Sequence, residues 1–549
     1  MNQYLDGSKI IDRRNLLKGL VGVGAVNAPN LFPYLRTLSV NLGGPVASTE
    51  YGRVRGIESG NVLSFRGISY GGPSDGMNRF TPPRRPAPWA EVRDATKAGP
   101  RAIQMVGKNI FSDPRIGDYF SGGRKDAPEI TFEPDSENCL VLNVITPGLA
   151  GKRPVMVYIH GGGFIVGSGA LTLVSDRFVS EQDVVLVGIN HRLSVFGYMY
   201  LEEIDPAYPD SGNVGQLDLI AALHWIRNNI VNFGGDPSNV TIFGESGGGA
   251  KISTLLGMPG AKGLFHRAVI ESGSFRSART KETATRETNK MLSTLGLTAS
   301  QVGQLQQVPA DKLLSAYSTA AEGLGGPVVD GRSVPHPTWE PAAPPEAAGI
   351  SLLVGNCKDE TTLFSLGEPA LFSLDWQTLK EREVKAGMSE DKAEAIIDKY
   401  REGYPKDTAS DLYFRIAADR SFRRNAIAQA ELKLQQKGGG DVYMYNFAWN
   451  TPVDGGRLRA FHTAELPLAM RLVLNPEAEE LSKQIAGAWA RFARTGDPNH
   501  EALPHWEKYS VAKQSTMVFD VGKTALVSRP AHDELILLTT LSYGSPFDF

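Results

Sequence analysis

Two cysteines in a chain of 549 residues, Cys139 and Cys357, are too few for a disulfide scaffold and offer too few thiolates for a zinc ribbon. No cluster of ligating residues stands at metal spacing, so no metal and no cofactor are expected. No run of about 20 apolar residues occurs, which leaves no candidate for a stable membrane span. Charge of one sign is also lacking: 57 Lys and Arg face 60 Asp and Glu, for a formal net charge of −3. Nothing in that total points to nucleic acid or an anionic membrane as partner. Internal repeats, long charge blocks and low-complexity linkers are missing too. Length alone suggests about three or four domains, yet no boundary is marked inside 45–549, which reads as one large domain. Across the whole chain, 41% hydrophobic and 21% charged residues are an ordinary globular balance, and 59 Gly and 34 Pro imply many loops around one core.

The first residues have a different texture. "DRRNLLKGLVGVGAV" sets Arg13 and Arg14 ahead of a short apolar run, Leu16 to Val26, interrupted only by Lys18. This resembles a twin-arginine export signal, so 1–40 is set apart from the fold and export to a periplasm or to the medium is expected. The alternative is a basic amphipathic helix on a cytoplasmic protein. "VNA" before Pro29 makes a poor cleavage site.

From about Thr49, "YGRVRGI" and "NVLSFRGISY" alternate in the manner of antiparallel hairpin strands. A loop-rich stretch to about Glu137 follows. After "CLVLNVITP", the runs "PVMVYIH", "DVVLVGIN", "NVTIFG", "RAVIES" and "SLLVGN" are short, β-branched and nearly continuously apolar. Such runs suit strands buried on both faces of a parallel sheet. Between two of them, Leu217, Ile220, Leu223, Ile226 and Ile230 recur at three- and four-residue steps, predicting an amphipathic crossover helix ending at Gly234. Alternating strand and helix make a wound α/β sheet. "SFRRNAIAQAELKLQQKGGG" reads as a helix stopped by glycines, "DVYMYNFAW" as a further strand, and another helix follows "HTAELPLAMRLV".

The pattern G-x-S-x-G occurs three times, around Ser69, Ser74 and Ser246. Ser69 falls in a predicted edge hairpin and Ser74 in a turn beyond it, and no helical pattern follows either. Ser246 follows the buried strand "NVTIF" and precedes "GGAKISTLLGMP", a short helix. Strand, sharp turn, helix is the setting of a nucleophile elbow, with Gly244 and Gly248 small where the two backbones nearly touch. Ser246 is therefore the nucleophile candidate.

A serine attacking a carbonyl needs donors aimed at the developing oxyanion. "VYIHGGGFIVGSG" runs a buried strand into His160, Gly161, Gly162 and Gly163, whose backbone N–H groups can approach a reacting oxygen. Gly247 would donate a third N–H. His160 ends a strand ahead of the nucleophile, which favours a structural role. Six histidines follow Ser246: His266, His336, His462, His500, His505 and His532. His462, on a glycine-bearing loop beyond a strong strand, best suits a catalytic base. For the acid, "SLLVGNCKDETTLF" ends a strand with Asp359 and Glu360, and pattern does not choose between them.

With these motifs in order, the chain resembles the type-B carboxylesterase family, relatives of the cholinesterases within the α/β-hydrolase fold. The resemblance is carried by "RGISYGGP", "RFTPPRRPAPW", "SENCLVLNV", "HGGGFIVGS", "INHRLSVFGY" and "GNVGQLDLIAALHWIRNNIVNFGGDPSNVTIFGESGGG". Further on come "VVDG", "GNCKDE", "FHTAELP" and "WARFARTGDPN". It spans about residue 49 to the C-terminus. It implies a large, mostly parallel sheet flanked by helices, an N-terminal antiparallel hairpin region and long loop insertions. It places the nucleophile on Ser246, the oxyanion donors on Gly162, Gly163 and Gly247, the acid on Glu360 and the base on His462. Ser272 of "ESGS" matches a serine that hydrogen-bonds the acid. The three-glycine loop resembles a subclass that accepts bulky, even tertiary, alcohol esters.

The chain also departs from the family. Gly247 stands where the family usually has Ala. The partner of the family's Cys139 disulfide is here Ala102, so Cys139 and Cys357 are expected unpaired. Ile103 to Asn138 holds Phe111, Tyr119, Phe120 and Phe132 but no Trp, which argues against choline esters. The expectation is a serine hydrolase of small-molecule carboxylic esters. Hydrolysis of an amide or carbamate, or a non-catalytic binding relative, are the alternatives.

Overall fold

β-Branched residues lose little side-chain freedom in extended chain, and the apolar runs become strands in the computed structural model, which describes residues 43–105, 115, 116, 119, 134–321, 325–472 and 475–539. Residues 1–42, with Arg13 and Arg14 of the expected export signal, and Phe111, Phe120 and Phe132 lie outside those residues. In chain order the strands are β1 (Val46–Thr49), β2 (Gly52–Arg55), β3 (Ile57–Ser59), β4 (Val62–Ser69), β5 (Arg93–Asp94), β6 (Val141–Thr146) and β7 (Arg153–Ile159). Then come β8 (Val185–Ile189), β9 (Gly235–Glu245), β10 (Arg267–Glu271), β11 (Ser351–Cys357), β12 (Val442–Phe447), β13 (Thr516–Phe519) and β14 (Ala525–Val527).

Among the described residues, eleven strands form one sheet in the order β3-β4-β6-β8-β7-β9-β10-β11-β12-β13-β14. From β8 to β13 every neighbouring pair is parallel, while β3, β4 and β6 at one edge and β14 at the other are antiparallel. The hairpin β1–β2 pairs with β5 in a separate small sheet.

Successive side chains of a strand point to opposite faces, and here both faces are covered. Val155, Val157 and Ile159 of β7 enter one core with Leu219, Leu223 and Ile226 of the helix Val214–Asn229. Met156 and Tyr158 enter the other, with Ile485, Trp489 and Phe492 of the helix Glu479–Thr495. Burying each such side chain stabilises the fold by roughly 1.5–3 kcal/mol. Two covered faces explain why these strands show no apolar/polar alternation.

The crossover helix differs from its predicted form. The α-helix ends at Asn229, and a 3₁₀ turn, Ile230–Phe233, carries the chain to Gly234. Leu217 is only half-buried, whereas Val214, Leu219, Ala222 and Trp225 are buried as well, so the helix is enclosed around most of its circumference. Asp218 on this helix makes a fully buried, two-pronged pair with Arg192 just beyond β8: Nη2 to Oδ1 2.6 Å and Nε to Oδ2 2.8 Å. Removing one partner of such a pair costs about 3–5 kcal/mol because the other charge is stranded.

Cys139 and Cys357 are both buried as free thiols. Cys357 donates from Sγ to Glu465 Oε2 at 2.8 Å, and burial, then the charge of Glu465, pushes its thiol well above the ordinary range. Ala102 is buried and pairs with Ser136 in an isolated bridge. Alkylation of denatured, unreduced protein should add two groups to the intact mass; addition of none until reductant is present would reveal a disulfide.

Candidate active site

β9 ends at Glu245, in register with Glu271 of β10, and the helix Gly247–Leu255 starts two residues later. One residue must make the turn. Ser246 does so at φ 57°, ψ −123°, a conformation that costs of order 1–3 kcal/mol for a residue with a side chain. Its N–H donates to the Glu271 carbonyl at 2.7 Å, which ties the bend to the neighbouring strand. A Cβ at Gly244 or at Gly248 would collide with the Ile159 carbonyl oxygen at the end of β7, so helix and strand meet backbone to backbone. The other two serines have plain structural settings. Ser74 is buried and donates from Oγ to the Glu137 carbonyl at 2.5 Å, and Ser69 is the last residue of β4.

The loop after β7 reaches the elbow. Gly162 and Gly163 adopt φ 82° and 60°, left-handed values that favour glycine. Gly163 lies so close to the elbow helix that a Cβ on Gly247 would stand 2.5 Å from both its nitrogen and its Cα. Among the described residues, no backbone acceptor takes the N–H of Gly162, Gly163 or Gly247. His160 is buried, with its ring stacked on His191 at 4.7 Å and Nδ1 turned to the Gly161 carbonyl at 2.9 Å. Burial first, and then the Lys251 charge, lower its pKa to about 3. It is a neutral scaffold residue.

Glu360 directly follows Asp359 on the turn after β11, and the two face different ways. Glu360 Oε2 meets His462 Nδ1 at 2.5 Å, while its Oε1 accepts from Ser272 Oγ at 2.6 Å and from the Cys357 N–H at 2.8 Å. Asp359 instead bonds the backbone of Ala460 and stands 3.5 Å from Lys358 Nζ. Of the two acids that the sequence pattern left open, Glu360 is the one in contact with His462. Among the histidines, His266 takes the Val240 N–H, His500 and His532 bond Gln484 and Gln514, and His336 and His505 are surface residues.

Some of the site escaped the sequence reading. Glu245, the residue before Ser246, places Oε1 3.2 Å from His462 Nε2, and no hydrogen bond joins that nitrogen to Ser246 Oγ. Glu465, three residues after His462, accepts from Tyr445 Oη at 2.9 Å as well as from Cys357. Burial first, and then neighbouring glutamates, raise the pKa values of Glu245, Glu271 and Glu465, which favours their protonated forms. The one signal for Glu245 is its place as the variable position inside the serine motif, which the sequence analysis did not single out. The others had no signal, because a glutamate among apolar residues reads the same buried or exposed. Phe364 and Phe422 flank the His462 ring at 4.9 and 5.2 Å between centroids. Phe422 projects from a π-helical turn, Asp419–Arg423, in front of the helix Arg424–Gln435.

A family model described as "Carboxylesterase family" matches residues 43–534. The chain belongs to the carboxylesterase family. It is 34% identical over 495 residues to the para-nitrobenzyl esterase of Bacillus subtilis (strain 168), covering 86% of this chain and 94% of that one. It is 33% identical over 515 residues to mouse (Mus musculus) liver carboxylesterase 1, covering 85% and 88%. Among solved structures, the Geobacillus stearothermophilus carboxylesterase EST55 at pH 6.2 superposes with a TM-score of 0.76 at 35% identity, over 90% of this chain and 99% of that one. A PNB esterase structure gives 0.74 at 33%, over 90% and 100%. The fold of this carboxylesterase is the α/β-hydrolase fold, as its motifs led us to expect.

The geometry separates the two acids by experiment. Glu360→Gln should lower kcat of the carboxylesterase by about 10²- to 10⁴-fold, since only a carboxylate stabilises an imidazolium at Nδ1. Asp359→Asn should stay within about tenfold, because its contacts are to backbone and Lys358. Equal losses in steady-state assays would contradict the assignment.

Proposed function

We propose that this carboxylesterase cleaves small carboxylic esters through an acyl-enzyme, with Ser246 as nucleophile, His462 as general base and acid, and Glu360 as the group that orients and charges-compensates the imidazole. The observation that carries the reading is the 2.5 Å contact between Glu360 and His462 on loops that converge on the strained Ser246 bend. Ser272 and the Cys357 N–H occupy the second oxygen of Glu360, so the carboxylate has one orientation in which to meet Nδ1. That leaves Nε2 as the nitrogen to take the Ser246 proton. Its present neighbour is Glu245, and catalytic hydrogen bonds of this kind commonly tighten only when substrate is bound.

Attack on the ester carbonyl would then place the oxyanion on the N–H groups of Gly162, Gly163 and Gly247. Loss of a single donor of this type typically costs about 10²- to 10³-fold in kcat. His462 passes its proton to the leaving alcohol, and water activated by the same imidazole releases the acid. Phe364 and Phe422 beside the imidazole offer an apolar wall to the ester, which suits hydrophobic acyl or alcohol groups.

Ser246→Ala should lower esterase activity on a p-nitrophenyl ester by about 10³-fold or more, as removal of a triad member does elsewhere. Ser69→Ala and Ser74→Ala should keep most of it. A fluorophosphonate probe should label one peptide, the one that contains Ser246; labelling elsewhere would reject the reading.

The proposal extends to location: Arg13 and Arg14 direct export of the folded chain. Replacing both by Lys should retain the protein inside the cell, as read by fractionation. Unchanged fractionation would return the segment to the cytoplasmic alternative.

A further inference from the structure

Lysine is almost never fully buried without a charged partner, yet Lys251 on the elbow helix has no solvent-exposed surface. Among the described residues no carboxylate stands within ion-pair distance of it, and its hydrogen bonds go to backbone carbonyls. Its Nζ instead donates to two backbone carbonyls, Gly163 at 2.7 Å and His160 at 3.0 Å. The same nitrogen lies 5.5 Å from the centre of the Phe164 ring. All three partners belong to the glycine loop, His160 to Phe164. The helix is fixed behind the lysine, where Gln216 donates to the Lys251 carbonyl at 3.2 Å.

Residues four apart share a helix face, so Gly247 and Lys251 present one surface to the loop. Gly247 leaves the space into which the Gly163 backbone fits, and Lys251 supplies the hydrogen bonds that draw it in. The two carbonyls bracket Gly161, Gly162 and Gly163. Three consecutive glycines have the largest conformational freedom of any tripeptide, and nothing in their side chains can hold them. A primary amine has two or more N–H donors whether or not it is protonated, so both carbonyls stay served as the group titrates. Burial lowers its pKa to about 7.

We propose that Lys251 is a positioning residue for catalysis: it clamps the glycine loop at His160 and Gly163 so that the Gly162 and Gly163 N–H groups stay aimed at the oxyanion. The inference rests on the reading of that loop as the oxyanion site. A donor misplaced by about 1 Å can cost 10²-fold, so loss of the clamp should act on kcat and spare substrate binding.

The test compares Lys251→Met, which keeps length and loses the donors, with Lys251→Gln, which keeps a shorter N–H donor. With p-nitrophenyl acetate, Lys251→Met should lower kcat by about 10- to 100-fold with KM within about threefold. Lys251→Gln should recover part of that loss. Affinity for an aryl trifluoromethyl ketone, which forms a hemiketal oxyanion on the serine, should fall in step with kcat. A folded Lys251→Met with kcat and ketone affinity within twofold of the parent would overturn the clamp. Ser246→Ala run alongside separates the two readings: activity there removes the serine mechanism, whereas an inert Ser246→Ala beside a fully active Lys251→Met removes only the clamp. Should both lysine variants fail to fold, a crystal structure of the parent with the ketone bound decides. Nζ on both carbonyls would support the proposal, and Nζ turned away from the loop would overturn it.

Discussion

The backbone of the elbow helix lies against the end of β7 with no side chain between them. Gly244 and Gly248 both press on the Ile159 carbonyl, and a single methyl group at either position would push strand and helix apart. The rest of the site follows from that contact. Because the helix starts so close to β7, the glycine loop that continues β7 must pass directly over the first turn of the helix. Gly247 abuts Gly163 there, and the lysine one turn later meets the loop from behind. The strain at Ser246 is sustained by the same packing, since the strand before it and the helix after it are both locked.

A second constraint is the amount of acid buried beneath the surface of the site. Glu245, Glu271, Glu360 and Glu465 are all buried, and charges this close cannot all be ionised in a poorly solvated space. The hydrogen bonds divide them. Glu360 is held at both oxygens, by Ser272 Oγ and the Cys357 N–H at one and by His462 Nδ1 at the other. Glu465 sits among Tyr445 and the Cys357 thiol, and it is one of the three whose pKa is raised. Cys357 thus links two acids, donating its N–H to one and its Sγ to the other. A disulfide there would break the second of these contacts.

The parallel strands, the elbow and the glycine loop were legible in the sequence because each depends on local rules. β-Branched runs of five to seven residues have few alternatives in a large α/β chain, and a glycine before and after a serine has meaning once a strand precedes and a helix follows. Three copies of G-x-S-x-G were separated by that context alone. Where the pattern misled, neighbours were the cause. The crossover helix looked amphipathic, but Val214, Leu219, Ala222 and Trp225, outside the predicted apolar stripe, are buried as well.

What the sequence determined by itself is therefore the set of parts: the sheet, the serine at its bend, the glycines that can approach a reacting oxygen, and a histidine on a late loop. Tertiary structure alone decided which parts meet. Asp359 and Glu360 are adjacent in sequence and chemically alike, and only the direction of the turn after β11 gives Glu360 to His462 and Asp359 to the Ala460 backbone. Lys251 has the composition of an ordinary surface residue on a short helix, and its place under the glycine loop arises because the end of strand β7, nearly a hundred residues earlier in the chain, lies over that helix. Local propensity acts over one turn or one strand, whereas these contacts are fixed by the crossing of elements far apart in sequence.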